Sequence, residues 1–357
     1  MTGKYNKIIL LLFALIAGIV WQHTSYHTVA LSFLLILFFA SKMYKKYFYS
    51  LALVALFSIG AIHHSLQYIK QKQFYDRVAG KTFSIVGIVK NIRNQESRRH
   101  KQCITIDTYK HKTLQIYTRE QPNIQVGDTI AVNNLTCKKP IKQSFANYLI
   151  KEHIAANIFT DKMNYNVIKR PSFSFSRWIF NKREHLLEAV KTKMGSRPFA
   201  MFSSMFLGNK KIKKKENDRV KKRFKLWGIL HFLARSGLHL IVFLIICELL
   251  LKCIPIHIII KRLIILLIGI VYLLLSWPSI SFIRAFSVFI LYKTSPLLNK
   301  KQDLVYLITV VCFLMLIYNP MQLFFLDFQL SFGLTFALAI LTRQNSKKPA
   351  QNNAEKK

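Results

Sequence analysis

The stretch IHIIIKRLIILLIGIVYLLLS, residues 256–276, decides the fold. Apart from His257, Lys261 and Arg262 near its start it is apolar or weakly polar throughout, over a length that matches the hydrocarbon thickness of a bilayer. Its apolar residues form a run and lack the spacing of an amphipathic helix, so they read as lipid-facing surface and not as one face of a soluble core. Runs of the same texture recur outward from it, at residues 229–251, 278–292, 304–318 and 326–341 on one side and at 8–20, 29–40 and 48–62 near the N-terminus. The first follows Lys4 and Lys7 as a signal peptide would, but Trp21, Gln22 and His23 stand where a small-residue cleavage site belongs. It therefore reads as an uncleaved span with Trp21 at the interface. The fold class is a polytopic α-helical membrane protein of about 8 transmembrane helices, with one small β-barrel inserted as an extracytoplasmic domain.

Basic residues orient the spans. Lys42, Lys45 and Lys46 lie between the second and third runs, whereas residues 22–28 hold no Lys or Arg. The N-terminus is then cytoplasmic and the chain beyond residue 62 emerges outside. Lys252, Lys261 and Arg262, then Lys293, Lys300 and Lys301, then Arg343, Lys347 and Lys348 agree with that sense when taken alternately, leaving the C-terminus cytoplasmic as well. The total charge goes further: 53 Lys and Arg stand against 15 Asp and Glu, a net +38, more than orientation needs. Nucleic acid and acidic lipid headgroups both satisfy such a charge, and a generally basic proteome is the bland alternative.

Between residues 74 and 170 the texture changes to short alternating segments at 82–92, 102–109, 113–118, 128–132 and 155–160, which read as strands, with a turn at Val126-Gly127-Asp128 and a short helix at 147–153. This count favours a closed barrel of the oligonucleotide-binding type, with a small β-sandwich as the alternative. Cys103 and Cys137 fall in this insertion and form a candidate disulfide if it is extracytoplasmic. Cys247, Cys253 and Cys312 lie in apolar runs as small hydrophobes. Residues 172–194 read as an amphipathic surface helix opened by Ser174 or Ser176, and residues 198–208 form an apolar piece too short to span.

Residues 209–225 hold ten Lys or Arg against two acids, the densest charge run in the chain. Parity places it outside, where Lys210, Lys211, Lys213, Lys214, Lys215, Lys221, Lys222 and Arg223 make a funnel for a polyanion; a solvated helix on acidic lipid is the competing reading. In the following run His231, Arg235 and His239 are spaced four apart and share one helical stripe, with Ser236-Gly237 able to break the helix. Arg in hydrocarbon costs at least about 2.5 kcal/mol, so the stripe should face water or partner groups within the bundle. A metal site is disfavoured there by the intervening Arg. Arg284 and Asp327, in different runs, are expected to pair or to line a path, and Gln329 follows on the same run. The sequence shows no nucleotide-binding loop, protease helix motif, or nucleophile and base pair, so no enzyme activity, cofactor or metal is assigned.

At these residues the chain resembles the ComEC family of competence proteins. The resemblance rests on Leu207-Gly208, then Gly228-Ile229-Leu230-His231-Phe232-Leu233-Ala234-Arg235-Ser236-Gly237-Leu238-His239 against the family's G-x-x-H-x-L-A-x-S-G-x-H signature, on Pro278-Ser279 with Arg284-Ala285, and on Asn319-Pro320 leading into Phe328-Gln329-Leu330-Ser331-Phe332. Arg235 stands where the family usually has a small or apolar residue. The resemblance implies N-terminal spans (residues 1–66), an oligonucleotide-binding-like domain (74–170), an amphipathic helix and basic segment (171–225), a competence-type transmembrane core (226–343) and a disordered polar tail (344–357). It implies translocation of single-stranded DNA across the bacterial inner membrane in natural transformation, alongside membrane lipid, a DNA receptor and a cytoplasmic ATPase or helicase, and is compatible with a homo-oligomer. The expected form is a short one, without the C-terminal metallo-β-lactamase-like domain. The alternative is a truncated relative that forms no channel, or a membrane scaffold on acidic lipid.

Overall fold

The computed structural model describes residues 2–23, 47–94, 102–109, 112–203, 224–228, 237–276, 280–298 and 303–345. Helices α1 (Thr2–His23) and α2 (Tyr47–Val78) precede strands β1 (Thr82–Asn94), β2 (Gln102–Thr108), β3 (Thr113–Thr118) and β4 (Thr129–Thr136). Helix α3 (Gln143–Lys151), strands β5 (Ile154–Thr160) and β6 (Asn164–Lys169), and helices α4 (Phe175–Lys193) and α5 (Ser196–Phe202) follow. The described C-terminal helices are α6 (Gly237–Lys252), α7 (Ile258–Leu275), α8 (Ile280–Thr294), α9 (Leu304–Tyr318) and α10 (Leu326–Asn345), with 3-10 turns at Ser295–Leu298 and Pro320–Phe324. The chain divides into two compact units, one of Met1–Tyr68 with Ile280–Lys357 and one of Ile69–Ser279.

The first unit is helical and drawn from both ends of the chain. Its core joins Leu12, Leu15 and Ile19 of α1 to Val305, Ile308, Val311, Cys312 and Leu316 of α9 and to Phe328, Phe332 and Ala339 of α10. Helix α9 is the central one, capped by Asp303, whose carboxylate accepts from the Val305 and Tyr306 amides at 3.0 and 3.3 Å. Helices α1 and α2 touch backbone to backbone: a Cβ on Gly18 would stand 2.0 Å from the Phe57 carbonyl oxygen, and one on Gly60 2.6 Å from that of Leu15. Small residues at a crossing let helix backbones approach, the main source of contact where the hydrophobic effect does not drive association.

In the second unit β1 is long enough to serve two neighbours. Its second half pairs with β2 and its first half with β4, both antiparallel, and shifts in register near Val89 and Phe83 let it bend. The strand order is β5-β3-β2-β1-β4-β6, with β3 and β5 parallel, and β5 also touches β4. Alternate residues point inward, so Val89, Ile104, Ile106, Leu114, Ile116, Ile130, Val132, Ala156 and Ile158 fill one core, joined by Phe74 and Tyr75 from the end of α2. Cys103 and Cys137, the candidate disulfide, are both buried free thiols. Pairing explains this: Cys103 lies opposite Arg93 near one end of β1, while Cys137 follows Thr136, which lies opposite Thr82 at the other.

Two described helices are long and apolar enough to cross a membrane by length and composition, over Ala52–Val78 and Ile258–Leu275. Ile8–His23 and Leu304–Tyr318 are shorter apolar helices. Residues 29–40, read as a span, lie outside the described residues, as does most of the tail.

Candidate functional site

Strand pairing aligns side chains that are far apart in the sequence. Arg93 is the partner of Cys103, Cys103 of Tyr117, and Tyr117 of Phe159, so these four form one row across β1, β2, β3 and β5. The Tyr117 and Phe159 rings stack with centroids 4.9 Å apart and planes 21° apart, and Phe159 is 56% exposed. Next to this row runs another: Asn91 pairs with Thr105, Thr105 with Gln115, and Gln115 with Asn157. The Tyr117 hydroxyl donates to Gln115 Oε1 at 3.1 Å, linking the two rows. Asn157 Oδ1 is buried with no hydrogen-bond partner.

Helix α3 adds a second pair of exposed rings, Phe145 and Tyr148, stacked at 6.3 Å. Burial pushes the Tyr148 hydroxyl above its ordinary pKa, with Glu152 adding to the shift and the Arg93 charge opposing it. Burial likewise raises the Cys103 thiol, against the contact with Tyr117 and the charge of Arg93. Both groups are therefore neutral at physiological pH, with the Arg93 cation beside them. The connection from β1 to β2 carries Arg98, Arg99, His100 and Lys101 in the sequence and lies outside the described residues. Stacked rings and carboxamides beside the Arg93 cation together suit a ligand with flat bases and a phosphate backbone.

The amphipathic helix is fixed to this sheet by charge. Asp128, fully buried after the Val126-Gly127 turn, accepts from Arg177 Nη2 at 2.6 Å, from Arg170 Nη2 at 3.1 Å and from the Gln125 amide at 2.9 Å. Gly127 has φ +91 and faces Ser174, the residue that opens α4, so a side chain there would be both strained and obstructed. Further along α4, Arg183 donates to the Leu274 carbonyl at the end of α7 at 2.7 Å, where a helix leaves carbonyls without partners of its own. Burial lowers the pKa of Arg183 from the usual guanidinium value. Phe173, Phe175 and Trp178 remain exposed, the last two stacked.

Among the expected path residues, Gly237 starts α6 and His239 is half-buried two residues on. His231, Arg235 and Ser236 lie outside the described residues, as do Lys210, Lys211, Lys213, Lys214, Lys215, Lys221, Lys222 and Arg223. The expected Arg284 and Asp327 pair is not formed. Arg284 instead hydrogen-bonds the Thr335 hydroxyl and lies 5.5 Å from the centre of the Phe332 ring. The reason is register. Ser281 meets Ser331 at 3.1 Å, so α8 and α10 run parallel, and Arg284 falls opposite a position two turns beyond Asp327. Asp327 sits exposed in the first turn of α10, and Gln329 donates to the Leu323 carbonyl at 2.8 Å.

A mixed sheet with an aromatic outer row, followed by apolar helices, defines a mostly helical chain with a sheet domain and candidate membrane helices. Residues 205–357 match the family model described as Competence protein, and over that span the chain carries a domain of the ComEC-like competence family. No curated protein and no solved structure matches the chain. The three motifs that carry the resemblance lie wholly inside the matched span, whereas the sheet domain lies before it.

Proposed function

We propose that this chain takes up single-stranded DNA and passes it across the bacterial inner membrane during natural transformation. The competence-family domain supports a role in DNA uptake. The observation that carries the single-strand reading is the row Arg93, Cys103, Tyr117 and Phe159 beside the carboxamides of Asn91, Gln115 and Asn157. A duplex hides its base faces, whereas a single strand offers them to stacked rings. The sheet is read as an oligonucleotide-binding-like barrel, because β1 is shared by β2 and β4, β3 pairs in parallel with β5, and β5 returns to touch β4.

The strand then leaves the sheet domain for the basic segment at residues 209–225 and for a path bordered by His231, Arg235 and His239. A separate cytoplasmic ATPase supplies the pulling force, and a DNA receptor outside delivers the substrate. The multi-pass orientation draws support from the helical unit. His23 at the end of α1, His64 on α2 and Phe324 after α9 are mutual neighbours. Charge bias independently assigns all three positions to the outer face. The exposed Phe173, Phe175 and Trp178 favour a second reading, a scaffold seated on lipid.

The test is fluorescence anisotropy of the full chain in detergent with a labelled oligothymidine and with a duplex of equal length. Tyr117→Ala and Phe159→Ala should each weaken single-strand binding by about 1–3 kcal/mol, roughly 5- to 150-fold, and leave any duplex binding unchanged. Equal affinity of both variants and the parent for the single strand overturns the assignment. Normal uptake of labelled DNA in cells lacking the protein removes the transport reading and leaves the scaffold.

A further inference from the structure

Helices α8 and α10 share a polar seam, flanked by Ile280 and Val288 of α8 and by Phe328 and Phe336 of α10. Ser331 donates to Ser281 at 3.1 Å, Arg284 donates to the Thr335 hydroxyl, and the guanidinium lies 5.5 Å from the centre of the Phe332 ring. Thr335 gives its own proton to the Ser331 carbonyl at 2.6 Å, which leaves its oxygen to accept from the arginine. We propose that Arg284, with the hydroxyls of this seam, binds one phosphodiester group of a single strand passing through the helical unit. The inference rests on the uptake reading and adds a site to it.

Unmatched charge is the first argument. The unit's only carboxylates are Asp303, Asp327 and Glu355. Asp303 caps α9 and lies 3.8 Å from Arg343. Asp327 precedes Thr335 by two turns, about 12 Å along α10, and Glu355 stands in the tail, outside the described residues. Among the described residues Arg284 therefore has a hydroxyl and a ring as partners, both neutral. One hydroxyl leaves most of a guanidinium's donors for an oxyanion. Ser281 accepts from Ser331, and among the described residues its own proton has no acceptor.

Depth is the second argument. On the reading of α8 and α10 as spans, Thr335 is the tenth of the 20 residues of α10, midway along a helix of about 30 Å. An arginine without an acid at that depth is unfavourable, and a hydroxyl in its place would join the helices without the penalty, so a role toward passing charge explains it better than a clamp does. Lipid phosphates stay at the boundary, about 15 Å away, so the phosphate that reaches Arg284 belongs to the strand. Arg284, Ser281, Ser331 and Thr335 are each half-buried, and the seam is therefore open to the surface of the unit.

The experiment measures the salt dependence of oligothymidine binding by the full chain in a non-ionic detergent free of phospholipid. One phosphate contact on a single strand contributes about 0.7 to the slope of log Kd against log salt, so Arg284→Met should lower that slope by about 0.7. Lys293→Met, which removes a cation near the far end of the same helix, should keep the parent slope. A methylphosphonate oligothymidine, whose backbone is uncharged, should bind the parent and Arg284→Met with equal affinity. Arg284→Met should also unfold at the parent midpoint or above it, because an unmatched charge is gone. Three results overturn the proposal: an unchanged slope in Arg284→Met, an equal loss of slope in Lys293→Met, or failure of Arg284→Met to fold, which makes the arginine a structural clamp. If the parent binds oligothymidine and Tyr117→Ala weakens it while Arg284→Met keeps the parent slope, this site alone falls. A parent that binds no oligothymidine ends the uptake reading and this site together.

Discussion

Replacing Asp128 by Asn keeps the side chain's shape and takes away the one carboxylate that two arginines share. Arg170 is 43% exposed, so water screens it and its share of the loss is small. Arg177 is 16% exposed and loses the carboxylate 2.6 Å away, although its Nε still donates to the Val126 carbonyl at 2.9 Å and its Nη1 to that of Pro171 at 3.1 Å. Removing one member of a buried ion pair costs about 3–5 kcal/mol, and those two carbonyls place the expectation at the low end, ~3 kcal/mol. At 1.4 kcal/mol per decade this is a change on the order of 100-fold in the local opening equilibrium. Hydrogen exchange on the full chain should therefore lose about 100-fold protection in the first turns of α4 and in the residues just before β4, while the β2 and β3 amides keep theirs. Adding Arg177→Met to Asp128→Asn should recover part of the loss, because the stranded cation is gone. A change of less than about threefold, or one spread evenly over the sheet, would refute the view that charge fixes the helix to the sheet.

Two further outcomes are expected. Gly18→Val should force α1 and α2 apart and lower the unfolding midpoint in detergent by the equivalent of about 1–3 kcal/mol or more, whereas Gly333→Ala, with nothing within 4 Å of its added carbon, should be silent; equal effects of the two would dismiss the close crossing. The Cys137 thiol is lifted by burial from 9.0 to about 11, so the folded state binds the proton more tightly than the unfolded one. Its stabilising share is whole below pH 9 and is lost as the pH climbs through about 11. Cys137→Ala should flatten part of the alkaline fall in the sheet domain's unfolding midpoint, and an unchanged slope would contradict the burial argument.

Much of the sheet domain is legible because its strands largely alternate, β3 most regularly. Residues 113–118 have the pattern of a strand and form β3, and the amphipathic pattern at 172–194 forms α4. Strand β6 is not signalled, since Asn164–Lys169 is mostly exposed and offers only Tyr165 and Val167 at alternate positions. The continuation of α2 to Val78 is hidden by His63, His64 and Ser65, which end the apolar run without ending the helix. The row of Arg93, Cys103, Tyr117 and Phe159 had no signal in the sequence, because register between strands comes from pairing and not from local pattern. The Arg284 and Asp327 pairing failed for a related reason: two charges in neighbouring helices meet only if the offset between the helices brings them level, and Thr335 was at that height instead.

The helical unit is discontinuous, made from Met1–Tyr68 and Ile280–Lys357. During synthesis α1 therefore exists long before α9, its main neighbour, has been made. At about 5–20 residues per second the delay is roughly 15 to 60 seconds, and throughout it Leu12, Leu15 and Ile19 have no α9 to bury them. The sheet domain's strands are all made within that interval. A ribosome stalled before residue 304 would leave the first helix waiting for its mate, open to capture by insertion chaperones or by proteolysis.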